Sequence, residues 1–123
     1  MNWLTKWRNR RRVRRFERIH DRDLAAMMLE RNGRYAEAAE ELAEIEAAYL
    51  RETWVADHLP AAILARIRRC AALIRAGQRA QGRAEAEQLA AMLYEFEGPD
   101  GEYLRRLRDQ VAAAERGEEA PDG

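Results

Sequence analysis

The sequence predicts an all-α protein: helix–turn–helix repeats, about five helices in all, forming a short right-handed α-solenoid or small helical array. Three observations predict it. A turn glycine has surroundings that recur: Gly33 in Arg31-Asn32-Gly33-Arg34-Tyr35, Gly77 in Ala76-Gly77-Gln78-Arg79-Ala80 lying 44 residues on, and Gly117 another 40 residues on. A period in this range marks stacked helix–turn–helix units. The composition is helix-forming, dominated by alanine, leucine, arginine and glutamate with only three prolines. Between the turns, apolar residues recur at helical spacing. At 123 residues the chain has room for a single core.

The elements follow in order. The first helix starts between Trp3 and Arg12 and runs to Arg31, with Val13, Phe16, Ile19, Leu24, Met27 and Met28 on a broad apolar stripe. Gly33 stops it, as glycine does just past a helix end. The second spans Tyr35 to Val55, with Tyr35, Ala38, Leu42, Ile45 and Tyr49 on one face and Glu37, Glu40, Glu41 and Glu44 turned away. Asp57-His58-Leu59-Pro60 is the next break, with Asp57 or His58 as cap and Pro60 in the tolerated first turn. The third helix carries Ile63, Ile67, Cys70 and Ile74, and Gly77 ends it. The fourth, Arg79 to Phe96, buries Leu89, Leu93 and Phe96; the turn Gly98-Pro99-Asp100-Gly101 follows. The fifth, Glu102 to Arg116, uses Tyr103, Leu104, Leu107 and Val111. The expected organisation is a basic, Trp-containing segment 1–15 continuous with the first helix, a repeat domain 16–116, and a disordered acidic tail 117–123 with nothing to bury.

Composition also bounds the function. Of the 22 basic residues only Lys6 is not arginine, which points to a GC-rich genome more than to selection for guanidinium chemistry. Cys70 is the lone cysteine, so no intrachain disulfide is possible and a buried, inert thiol is expected. No apolar run approaches the length of a membrane span, and no apolar segment follows the charged N-terminus, so the expectation is a cytoplasmic protein without a secretory signal. The zero net charge hides blocks: residues 1–34 carry net +7, 35–59 net −6, 60–96 net +3 and 97–123 net −4. Either neighbouring helices complement one another across solvated rims, or a basic face recruits an acidic partner.

The residues from about Ile19 to Leu50 resemble a tetratricopeptide repeat: small Ala26 seven residues before the turn, Gly33 and Tyr35 at the turn, then Ala38. The segment from Ile63 to Tyr94 is similar, with Cys70 and Ala71 as small side chains and Gly77 at the turn, but Arg79 stands where an aromatic is expected and Gly82 replaces an alanine. The spacing is longer than usual and closer to the kinesin-light-chain type of repeat. The resemblance implies a protein-binding scaffold whose first helices line a concave groove, here His20, Asp23, Met27, Glu30 and Arg31 from one unit with Leu64, Arg68, Ala71 and Arg75 from the next. Family members that clasp a C-terminal carboxylate use asparagine six residues before the turn glycine. Met27 and Ala71 hold those places, so that mode is not expected, and an apolar groove with an arginine rim suits a partner helix better. Two and a half repeats fall short of the three that bury a continuous core, which predicts a dimer or a subunit of a complex.

The N-terminus is the second functional candidate. Trp3, Leu4 and Trp7 share one helical face beside Arg8, Arg10, Arg11, Arg12, Arg14 and Arg15. Three readings compete: docking of the tryptophans in protein, binding to an anionic membrane, or neutralising nucleic-acid phosphates with a base stacked on Trp. No catalytic set is expected. Glu17 and His20 have the spacing of one di-iron ligand pair but lack the rest of that site. No phosphate-binding glycine loop, paired-cysteine metal site or nucleophile turn occurs. The expected reading is a non-enzyme without cofactor or small-molecule substrate: a small adaptor or assembly subunit holding a protein partner, with nucleic-acid or anionic-membrane association through the N-terminal helix as the alternative.

Overall fold

The computed structural model describes residues 2–52 and 58–119, and these form five α-helices. They are α1 (Trp3–Arg31), α2 (Tyr35–Arg51), α3 (His58–Arg75), α4 (Arg79–Glu97) and α5 (Glu102–Glu115), so the chain is an all-helical array among the described residues. The expected end of the second helix at Val55, and Asp57 as a cap, lie outside those residues. Pro60 sits in the first turn of α3, where a missing N–H costs no helical hydrogen bond. The start of α1 is set by Asn2, whose side-chain oxygen accepts from the Thr5 backbone N–H at 2.9 Å.

The recurring glycines have one geometry. Gly33, Gly77 and Gly117 all have positive φ, at 74°, 89° and 74°. Around each, the glycine N–H donates to the carbonyl three residues back and the next N–H donates five back: Arg34 to Leu29, Gln78 to Leu73 and Glu118 to Ala113, at 2.9 to 3.0 Å. This is the Schellman closure, which satisfies the last carbonyls of a helix and needs a left-handed residue. Each such turn therefore reverses the chain in the same way, and burial repeats with it. Ala38, Leu42, Ile45 and Tyr49 on α2 are buried, and so are Gly82, Ala86, Leu89 and Leu93 on α4, each 44 residues later.

Helix α1 packs on α2, α2 on α3, α3 on both α4 and α5, and α4 on α5. Helix α3 is consequently central. One apolar cluster joins Ile19 and Ala26 of α1 with Leu42, Ile45 and Tyr49 of α2 and Ala62, Ala65 and Leu73 of α3. A second joins Ile67 and Cys70 of α3 with Leu89 and Leu93 of α4 and Leu104 and Leu107 of α5. Each fully buried leucine or isoleucine contributes about 1.5–3 kcal/mol. Gly82 lies where α4 crosses α3 most closely: an added Cβ would stand 2.8 Å from Ile74 Cγ1 and 3.0 Å from the Cys70 carbonyl oxygen.

Two expectations about the core are corrected. On α1 only Ile19, Ala26 and Glu30 are buried, and Val13, Phe16, Leu24 and Met28 are exposed. The reason is length: α2 is much shorter, and its C-cap Glu52 lies beside Arg15, so among the described residues the start of α1 has no helix across from it. Phe96, expected in the core with Leu89 and Leu93, is 72% exposed. It lies in the last turn of α4, on the α3 side of that helix rather than against α5.

Candidate interaction surfaces

Three regions bear on function: the predicted groove, the first half of α1, and a seam between α3 and α4. The groove residues prove to be engaged with one another. Arg68 of α3 reaches back to α1, donating through Nη1 to Asp23 at 2.5 Å and through Nε and Nη2 to Glu30. Burial opposes the charge on Arg68, but its hydrogen bonds and attraction to Glu30 and Asp23 outweigh that and raise its pKa above the ordinary arginine value. Tyr49 stands beside the same group, and burial, then the Asp23 charge, push its phenol pKa up.

Ala71 is buried with Ile74 and Ala114, so it offers no surface to a partner, and Glu30 is likewise buried. Arg75 donates to the Glu118 carbonyl at 2.9 Å and lies 5.8 Å from the Tyr35 ring centre. Its covered Nη2 has no hydrogen-bond acceptor, and the ring face takes the charge instead. Met27 and Leu64 are half-buried, and only His20 and Arg31 of the predicted set are fully exposed. His20 stacks on Phe16 with ring centres 6.4 Å apart.

Other arginines of α3 are used in the same manner. Arg69 donates to Glu85 of α4 at 2.9 Å and to the Ala39 carbonyl of α2 at 2.9 Å, while Arg66 faces Glu46 of α2 at 4.0 Å. Burial raises the Glu46 pKa, and Arg66 then Arg69 partly offset it. Arg22 pairs with Glu41 of α2 and Arg83 with Glu115 of α5. From Arg15 onward, the alternating charge blocks thus supply inter-helix pairs between α1, α2, α3, α4 and α5, beside local pairs such as Arg34 with Glu37.

The first half of α1 differs. Every residue from Asn2 to Arg18 is exposed. Residues 3–16 carry seven cations and no acid. Within them Lys6, Arg8, Arg10 and Arg14 have no acidic partner among the described residues. Arg11 lies over the Trp7 ring, 4.8 Å from its centre. Arg11, Arg14, Arg15 and Arg18 line one shallow cleft of about 170 Å³, and at spacings of three, four and seven they fall on a single face with Trp7. Trp3 is 71% exposed and Trp7 48%.

The seam between α3 and α4 was missed by sequence reasoning. Leu59 and Ile63 of α3 with Leu89, Met92, Leu93 and Phe96 of α4 line an open apolar groove of about 470 Å³, edged by Glu95. That volume is within the range of about 300–1,000 Å³ typical of binding pockets. Exposed Phe96 and Met92 one turn apart were the available signal, but helical periodicity alone assigned Phe96 to the core.

Cys70 is fully buried and burial pushes its thiol up to about 11, which leaves it unreactive at neutral pH. Among the described residues no helix is long and apolar enough to cross a membrane, and no group of three His, Cys, Asp or Glu converges as metal ligands would. Compared with known proteins, the chain matches no family model, no curated protein and no solved structure.

Proposed function

We propose that this chain is a non-catalytic binding module, a small helical-repeat adaptor or assembly subunit that holds a partner protein in a reducing, cytoplasmic setting. The observation that carries this reading is the α3–α4 seam, where three large apolar side chains from two helices, Leu59, Met92 and Phe96, stand open to solvent around one groove. Exposed apolar surface that is contiguous and rimmed by polar groups marks interaction sites. The recurring Schellman turns, the 44-residue repetition of burial and the contact of α3 with α5 across the intervening hairpin support the likeness to tetratricopeptide repeats. In that frame the array serves as a rigid platform. The Asp23–Glu30–Arg68 bridge fastens its first two units together rather than meeting a ligand.

A second reading is favoured by the exposed cations at the start of α1: association with nucleic acid or an anionic membrane through Trp3, Trp7 and the arginine stripe. One experiment separates them. A pull-down from native lysate, with and without nuclease, is run with the full chain and with Phe96→Asp. A stoichiometric partner that survives nuclease and is lost with Phe96→Asp supports the protein-binding reading. Partners that vanish with nuclease and ignore Phe96→Asp overturn it in favour of the second.

A further inference from the structure

The two exposed surfaces are complementary, and we propose that each is the other's partner: the N-terminal half of α1 from one copy seats in the α3–α4 groove of a second copy, and the exchange is reciprocal. This rests on the reading that the groove is a protein-binding site and names its occupant. Charge supports it first. Residues 3–16 hold seven cations and no acid, whereas residues 84–104 hold six carboxylates and no cation. Within that stretch Glu85 and Glu102 pair with Arg69 and Arg106, while the two cations of α4, Arg79 and Arg83, precede it and Arg83 is paired with Glu115.

Apolar complementarity runs in parallel. The arm exposes Trp3, Leu4 and Trp7 on one face, and the groove exposes Leu59, Met92 and Phe96. Indole rings filling an apolar groove while arginines meet carboxylates at its edge is the usual anatomy of a specific interface. The arm does not reach its own groove, because it is helical, continuous with α1 and exposed at every position. Residues 3–14 project about 18 Å at the helical rise. Reciprocal exchange closes the assembly with two equivalent contacts, as two-fold dimers do.

The test is sedimentation equilibrium of the purified full chain from about 1 to about 100 μM at low and at physiological salt, the range in which weak assembly registers. A dimer that weakens with salt is expected. Trp3→Ala with Trp7→Ala, and separately Phe96→Asp, should each raise the dimer dissociation constant more than roughly tenfold while leaving the helical circular dichroism unchanged. Charge reversal gives the decisive pair. A chain with Arg10→Glu, Arg11→Glu and Arg14→Glu, and another with Glu87→Arg and Glu95→Arg, should each be monomeric alone and form a heterodimer when mixed.

A wild-type chain that stays monomeric throughout overturns the inference, as does a dimer indifferent to both the arm and the groove variants. If that monomer still captures its nuclease-resistant lysate partner through Phe96, the protein-binding reading stands and only the self-pairing fails. If the monomer instead binds anionic vesicles or single-stranded DNA and loses this with Arg→Glu in the arm, the arm belongs to a polyanion and the inference is overturned.

Discussion

Helices α1 and α3 are both rich in arginine, yet the residue does opposite work in each. On α3, Arg66, Arg68 and Arg69 are half-buried and each bridges to a carboxylate on a neighbouring helix. On the first half of α1 the arginine residues are exposed, and Arg15 pairs with Glu52 at the inner end. The difference lies in what surrounds each helix. Helix α3 is met by carboxylates from three other helices, Asp23 and Glu30 of α1, Glu46 of α2 and Glu85 of α4, whereas α1 outruns α2 and has no acid of its own before Glu17. The same side chain is therefore structural where neighbours supply counter-charges and available for recognition where they do not.

The largest effect that would break this contrast is at Arg68. Replacing it with alanine leaves Glu30 buried without its counter-charge, and removing one partner of such a pair costs about 3 kcal/mol. Arg14→Ala, on the arm, should change stability by less than about 0.5 kcal/mol. Parallel urea titrations of the two variants decide the matter, and equal midpoints would show that the bridge at Arg68 is no more structural than the exposed Arg14.

Next in size is the alkaline behaviour of Cys70, which probes the packing around α3 without touching its charges. Burial raises the thiol from the ordinary 9.0 to about 11. The folded chain thus favours the neutral thiol, so the stabilisation is full below about pH 9 and is lost as pH rises through about 11, amounting to about 2–3 kcal/mol. Stability measured at pH 8, 9 and 10 should fall for the wild type and fall less steeply for Cys70→Ala. Identical slopes would mean that solvent reaches the centre of α3.

Gly82 offers a somewhat smaller effect with an unusual sign. Glycine to alanine within a helix ordinarily stabilises by about 1 kcal/mol. Here the added methyl meets Ile74 Cγ1 and the Cys70 carbonyl, so Gly82→Ala should destabilise by about 1–2 kcal/mol through overpacking. The equivalent position 44 residues earlier, Ala38, already carries a methyl in full burial. A stabilised Gly82→Ala variant would show that α4 rides farther from α3 than that.

These residues also show what a linear sequence conveys. The turns were legible because a Schellman closure is local: glycine at Gly33, Gly77 and Gly117 announces it within a few residues. The faces of α2 and α5 were legible because periodicity encodes which side is apolar. Periodicity does not encode whether a neighbour covers that side, and so Phe16 and Phe96 were placed inward while the structure leaves both exposed. The partners of Arg68 lie 38 and 45 residues away on α1, with no local signal of the pairing. Gly82 looked like a defect in a repeat because a close helix crossing leaves no mark except the small residue itself.

The smallest expected change in stability sharpens the contrast most. Removing residues 1–12 from a dilute sample should shift the unfolding free energy by less than about 0.5 kcal/mol, since residues 2–12 are exposed and bury no part of the core. Hydrogen exchange gives the same comparison amide by amide. An isolated helical stretch of about a dozen residues is marginal in water, so arm amides should exchange rapidly, while those of α3 should exchange only through global unfolding. Raising the protein concentration then separates the two helices further. If arms are exchanged between copies, protection on residues 6–14 rises in step with the dimer fraction, and protection on α3 stays at its global ceiling. Arm amides that remain unprotected in a demonstrated dimer would place the contact elsewhere and leave the cations of α1 for another partner.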